Sequence, residues 1–228
     1  MIENFYIVAT PIGNYNDITI RAIEILKNVD FIVCEEEREY RKLFSYLKID
    51  IKKYIICNEH SGHREKEATE LVIDLLRKGE IGALISDCGT PLFEDPGFAL
   101  INAIRENGFL IVSIPGANSL ITALSLSPFP IKDFYFAGFI PKKDNEREKF
   151  ILDNLKRKEM IIFMETPYRL INLLDLLKKT LKNRKIYLPL DLTTKKEKLF
   201  YGNINEVYEK IKKSNTTKAE FLIIIERK

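Results

Sequence analysis

Hydrophobic positions in the first half of the chain fall in short runs separated by amphipathic stretches. The runs FYIVA (5–9), FIVC (31–34), KYIIC (53–57), IGALIS (81–86) and FLIVSI (109–114) are apolar along most of their length. Such runs are the mark of strands buried on both faces. Between them, helical spacing predicts helices over 17–28, 38–47, 65–78 and 96–107. In the third of these, Ala68, Leu71, Val72, Leu75 and Leu76 share one face. Asp17 is placed to cap the first helix. Asp95 is placed to cap the fourth, with Pro96 at its first position. Strands alternating with helices predict a mostly parallel sheet covered on both sides.

After Pro115-Gly116 a short helix near 119–126 is expected. The run SPFPIKD (127–133) then breaks the rhythm with two prolines and reads as a linker. Strands are expected at 134–139, 160–164, 185–190, near 198–201 and at 219–226, with helices at 145–157, 168–180 and 204–213. The fold class is α/β, with two α/β domains, 1–116 and 117–228. The N-terminal sheet is expected to be mostly parallel and the C-terminal sheet mixed.

A chain of 228 residues is long enough to bury a substantial core. No apolar run approaches the ~20 residues that span a bilayer. The start, MIENFYIV, carries an acid and lacks the basic region of a signal peptide, so a cytoplasmic chain without a membrane partner is expected. Cys34, Cys57 and Cys88 have neither disulfide-scaffold nor zinc spacing and read as reduced thiols. Charge is uneven. Residues 1–115 hold 13 Lys/Arg and 19 Asp/Glu, so 13 − 19 = −6; residues 116–228 hold 23 and 14, so 23 − 14 = +9. A basic half suits a polyanion partner; a solvated lysine-rich surface accounts for the same charge.

Ligands on open parallel sheets sit beyond the carboxyl ends of strands, which leaves three loops to inspect. The first, TPIGN (10–14), is neither G-x-G-x-x-G nor a P-loop, so dinucleotides and nucleoside triphosphates are not favoured. The second, SDCGTPLFEDPG (86–97), has twelve residues, long beside the usual ~2–6 for such a connection. Asp87 in it is able to accept hydrogen bonds from a ligand amine or hydroxyl. In the third, IPGANS (114–119), Asn118 or Ser119 is placed to cap a helix. Together the loops offer amides, carbonyls and a carboxylate without concentrated positive charge. That suits a ligand with an amino-acid moiety and a nucleoside but no phosphate. S-adenosylmethionine (SAM) fits this description, although the loops alone do not single it out.

The runs VATPIGN (8–14), ALISDCGTP (83–91), EDPG (94–97), IPGANSLITAL (114–124), GFIPKK (138–143) and FMETPYRL (163–170) resemble the tetrapyrrole methylase superfamily. T-P-I-G-N with S-D-x-G-T-P is similar to its RNA-modifying branch, which methylates the ribose 2′-hydroxyl of a decoding-centre cytidine of 16S rRNA with SAM. The resemblance runs from about residue 4 to 226. It implies two α/β domains with SAM between them, a homodimer, and 16S rRNA or the small ribosomal subunit as partner; the alternatives are a methyltransferase acting on a small tetrapyrrole and, from the altered motifs, a catalytically silent RNA-binding or ribosome-assembly protein. By motif it places Pro11, Gly13, Asp87, Gly89, Thr90, Pro91, Pro115, Gly116 and Ala117 around the cofactor, with Met164 and Glu165 closing over it and Gly138 to Pro141 facing the cleft. The chain departs from the pattern where E-D-T-R is Glu35-Glu36-Glu37-Arg38 and H-N is His60-Ser61. It departs again where E-S-P-H-R is Glu165-Thr166-Pro167-Tyr168-Arg169 and R-E-L is Leu190-Asp191-Leu192.

Methyl transfer to a ribose hydroxyl needs alignment and profits from a base. The candidates are Glu36, Asp87, His60 and Glu165. His60 and His63 form H-x-x-H beside Glu59 and Glu65, but methyl transfer needs no metal, and none is expected. Arg38, with Arg41 and Lys42, is a candidate for RNA phosphates, as is Arg169. Tyr40, Phe44 and Tyr46 are candidates for stacking an unpaired base, although Phe44 at helical spacing reads as core.

Overall fold

A computed structural model divides the chain into two compact units, Met1–Asn118 and Ser119–Lys228. The structure describes residues 4–58, 62–181 and 184–228, without the side chains of 62–64.

The first unit runs β1 (Phe5–Val8), α1 (Ile20–Asn28), β2 (Phe31–Cys34), α2 (Glu37–Leu47), β3 (Lys53–Ile56), α3 (Gly62–Arg77), β4 (Gly82–Ile85), α4 (Phe98–Glu106) and β5 (Ile111–Ile114). The sheet order is β3-β2-β4-β1-β5, and every pairing is parallel. Side chains alternate across a strand, so each strand feeds two cores. Tyr6, Val8, Ile32, Cys34, Ala83 and Ile85 pack with Ala22 and Leu26 of α1 and Tyr40 and Phe44 of α2. Phe5, Phe31, Val33 and Leu84 pack with α3 and α4 on the opposite face. The chain winds from β1 toward β3 along one face, then back toward β5 along the other. Right-handed crossovers require this change of face when the direction reverses. The connections leaving the neighbouring strands β1 and β4 therefore part to opposite faces. Their carboxyl ends are the switch point of the sheet, the position at which open α/β sheets hold ligands.

Two expected caps are corrected. Asp17 lies in a 3-10 turn, Tyr15–Asp17, and Thr19 caps α1 by accepting from Ala22 N at 3.1 Å. A threonine directly before the helix offers the shorter reach. Helix α4 begins at Phe98 behind Gly97, whose φ of 115° is a glycine conformation. Asp95 instead accepts from Ser86 Oγ at 2.6 Å and braces its loop.

The second unit contains α5 (Ser119–Ser125), β6 (Phe134–Phe139), α6 (Asp144–Leu155), β7 (Met160–Glu165), α7 (Leu170–Thr180), β8 (Ile186–Leu190), β9 (Lys198–Gly202), α8 (Ile204–Lys213) and β10 (Phe221–Ile225). Its order is β6-β7-β10-β8-β9. Only β6 and β7 are parallel; the other pairs are antiparallel, so this sheet is mixed. Ile151 of α6, Leu173, Leu174 and Leu177 of α7, and Val207 and Ile211 of α8 form one core with Ile161, Phe163, Leu188, Ile223 and Ile225. Asn203 and Glu206 form a reciprocal capping box at the start of α8. Arg184 is 9% exposed. Its guanidinium donates to the carbonyls of Glu226, Arg157 and Glu159, which ties the segment before β8 to the loop before β7 and to the residue that follows Phe221–Ile225.

Gly82 of β4 faces the buried ring of Phe31, and a Cβ there would approach the ring to 2.3 Å. Neither a central strand nor a ring in a close-packed core yields easily. Gly82→Ala is expected to lower stability by ~1–3 kcal/mol, read as a lower urea midpoint at unchanged slope.

Candidate active site

The three suspected loops of the first unit meet at the carboxyl edge of its sheet, because β5, β1 and β4 are neighbours there. Thr10 fastens the first loop to the second. Its amide donates to Gly89 O at 2.8 Å and its hydroxyl to Ser86 O at 2.9 Å. Thr90 fastens the second to the third, its hydroxyl donating to Ala117 O at 3.1 Å and accepting from Asn118 Nδ2 at 3.2 Å. The backbone approaches itself closely here. A Cβ on Gly116 would lie 3.0 Å from Ala9 Cβ, and one on Gly89, whose φ is +92°, 3.2 Å from Ile12. Pro11, Gly89 and Pro91 are buried, Thr90 and Ala117 half-buried, and Gly13, Pro115 and Gly116 exposed. The edge is thus a packed floor of turns under an exposed rim of backbone.

Asp87 is half-buried at this edge. Its Oδ1 accepts from the backbone amide of Glu36, 3.2 Å away at the start of α2. Burial pushes its carboxyl up to about 6, against that hydrogen bond, and the nearby Glu36, Glu39 and Asp95 add to the rise. None of the three loops carries a lysine or arginine. A carboxylate among carboxylates, with no cation supplied by the surrounding loops, suits a cationic ligand.

Of the other candidates, Glu36 and Arg38 are exposed, the first as the N-terminal flank of α2. Tyr40, left open by the sequence, is core. It is 1% exposed, and its hydroxyl donates to Lys52 O and accepts from Lys52 N. Phe44 is core as expected. His60 and the side chain of His63 lie outside the described residues.

Met164 and Glu165 end β7 in the second unit. Met164 is half-buried, and its carbonyl accepts from Ile140 N at 3.2 Å. It sits beside an irregularity in β6, where the register shifts between Phe136 and Phe139 and Gly138 has φ 73°. Glu165 is 3% exposed. Its Oε1 accepts from Thr166 N at 2.6 Å and Thr166 Oγ1 at 3.2 Å and pairs with Arg169 Nη1 at 3.5 Å. Its Oε2 is buried and has no hydrogen-bond partner among the described residues. This carboxylate clamps the turn that follows β7, and Arg169 is spent on the clamp. Sequence reading missed that clamp, and it missed the Ser86–Asp95 brace; a Ser and an Asp nine residues apart carry no local signal.

A doubly wound parallel sheet whose edge loops are acidic and carry no lysine or arginine, followed by a mixed α/β unit, defines a class of ligand-binding α/β proteins. Within that class the chain belongs to the tetrapyrrole (corrin/porphyrin) methylase family, whose profile matches residues 4–208. It is similar to ribosomal RNA small subunit methyltransferase I of Rickettsia prowazekii, with 41% identity over 98% of this chain and 78% of that one. The Hydrogenobaculum protein of the same name is 39% identical over 97% and 95%. Among solved structures the fold is shared with the methyltransferase CobJ, at TM-score 0.70 and 14% identity over 99% of this chain and 95% of that one. It is shared too with uroporphyrin-III C-methyltransferase of Thermus thermophilus complexed with S-adenosylhomocysteine, at TM-score 0.63 and 16% identity over 98% and 97%. The chain is a methyltransferase, and its methyl donor is SAM. The first unit's edge fits that donor, because SAM carries a sulfonium and an ammonium and no phosphate.

The raised carboxyl of Asp87 gives two opposite signs. A cation favours the ionised form, so SAM affinity is expected to fall as pH drops below about 6, and Asp87→Asn to lose that dependence in calorimetric titrations. Without ligand, the folded chain holds this proton more tightly than the unfolded chain between 3.8 and about 6. Stability is therefore lost as pH rises through that window. Asp87→Asn is expected to raise the melting temperature of the ligand-free protein at pH 7.5 while weakening SAM binding.

Proposed function

We propose that the chain methylates the ribose 2′-hydroxyl of a cytidine in the decoding centre of 16S rRNA, acting as a cytoplasmic homodimer on the small ribosomal subunit. The observation that carries this reading is 41% identity over 98% of the chain to a protein named ribosomal RNA small subunit methyltransferase I. The net charge of +9 on residues 116–228 supports a polyanionic substrate. Among the described residues, no helix is long and apolar enough to cross a membrane.

When bound, SAM supplies a methyl group already activated on a sulfonium centre. The chain supplies position and charge. Pro11, Gly13, Gly89, Thr90, Pro91, Pro115, Gly116 and Ala117 form the floor and rim that would receive the donor, and Asp87 faces its positive charge. Met164 is a further apolar candidate on the second unit. Glu36 is the stronger candidate to take the proton from the ribose hydroxyl. Its side chain is exposed, and its backbone is pinned to Asp87, so the carboxylate stands beside the edge. Glu165 is buried and committed to Thr166 and Arg169; it orders the second unit's loop. Arg38 is exposed and makes no ion pair among the described residues, so it can meet a phosphate.

Tritiated SAM and small subunits from a strain lacking the enzyme are expected to yield 2′-O-methylcytidine in 16S rRNA, identified by nucleoside mass spectrometry. Label in another nucleoside, or none, would remove this assignment. Glu36→Gln is expected to lower kcat by ~10²–10⁴-fold with SAM affinity unchanged.

A further inference from the structure

We propose that the groove along α2 is a stacking subsite for one unpaired nucleotide of the substrate RNA. This rests on the RNA reading above and names where a base outside the reaction centre is held. The groove has a volume of about 1010 Å³ and is lined by Tyr15, Tyr46, Arg38, Arg41 and Lys42, with Glu36 and Glu37. It reaches Glu36, whose amide binds Asp87, and so opens beside the donor edge.

Its distinguishing feature is an aromatic pair that the core does not need. Helix α2 is held down by Tyr40, Leu43 and Phe44. Tyr46 stands off that face at 48% exposure. Its ring lies 4.8 Å from that of Tyr15, and its hydroxyl donates to Asn16 Oδ1 at 2.7 Å. The contact with the Tyr15 ring orders this surface before any ligand arrives, and a preordered aromatic surface suits a base that must be held out of its own stack. Charge selects the occupant. Arg38 makes no ion pair among the described residues and is free for a phosphate. Arg41 and Lys42 are tied to Glu37 and Glu39 in exposed pairs, which are weak and readily exchanged. The carboxylates of Glu36 and Glu37 break any continuous phosphate track, and Glu37, which is not the proposed base, can accept from an exocyclic amine such as the cytosine N4 group. The groove therefore fits a single nucleotide with its phosphate at Arg38, not a run of backbone.

The test compares wild type with Tyr46→Ala, Tyr46→Phe and Arg38→Ala, using fluorescein-labelled hexacytidylate in polarisation titrations at several salt concentrations. SAM affinity is measured in parallel by calorimetry. Tyr46→Ala is expected to weaken oligonucleotide binding by about 5- to 100-fold, while Tyr46→Phe, which keeps the ring, stays within about 2-fold. Arg38→Ala is expected to make the salt dependence shallower by about 0.7. SAM affinity is expected to hold in all three. Wild-type strength in Tyr46→Ala, equal losses in the Ala and Phe variants, or no binding of hexacytidylate by wild type would overturn the subsite. A loss of SAM affinity in Tyr46→Ala would assign the groove to the donor and overturn it as well. Failure of the parent reading is distinguishable: wild type would bind SAM yet transfer no methyl to small subunits.

Discussion

The side-by-side placement of β1 and β4 is the constraint on which the first unit's chemistry depends. They pair in register from Phe5 opposite Gly82 to Val8 opposite Ile85, yet their outgoing chains leave toward opposite faces. Thr10 then stitches the two loops through Ser86 and Gly89, so the gap between them keeps its shape without a ligand. The Thr10 hydroxyl has two carbonyls in reach, so the loops are joined by neutral groups, without a lysine or arginine in any of them.

The architecture was legible because the apolar runs are short, β-branched and evenly punctuated; only a covered sheet absorbs FIVC with all four residues buried. Parallel and mixed sheets are distinguished by the helices between strands, and those were visible too. Caps were less legible. Asp17 and Asp95 are good capping residues on paper, but Thr19 lies nearer its helix and Ser86 offers Asp95 a partner nine residues away in the chain. Tyr40 could not be placed from spacing alone, since its hydroxyl is satisfied by both backbone groups of Lys52, an arrangement that exists only once the helix and the following strand are packed.

The acidic side chains divide by environment. Asp87 is half-buried, and burial with the neighbouring carboxylates pushes its carboxyl up. Glu36 keeps its head in solvent while its backbone is fixed. Glu165 has lost solvent almost entirely and is bound to the residues that follow it. The same functional group thus serves as charge, base candidate or clamp, and the sequence shows only that all three are carboxylates. Arg169 follows the same logic, since beside Glu165 its charge is answered within the protein.

The position of β10 has a consequence for synthesis on the ribosome. It is the last strand of its sheet to be made, yet it lies between β7 and β8. Until Phe221–Ile225 leaves the exit tunnel, both of those strands present bare apolar edges, and Arg184 lacks the carbonyl of Glu226. The first unit can complete itself while translation continues, but the second must wait for its final stretch, and during that pause its unpaired edges are open to misassociation.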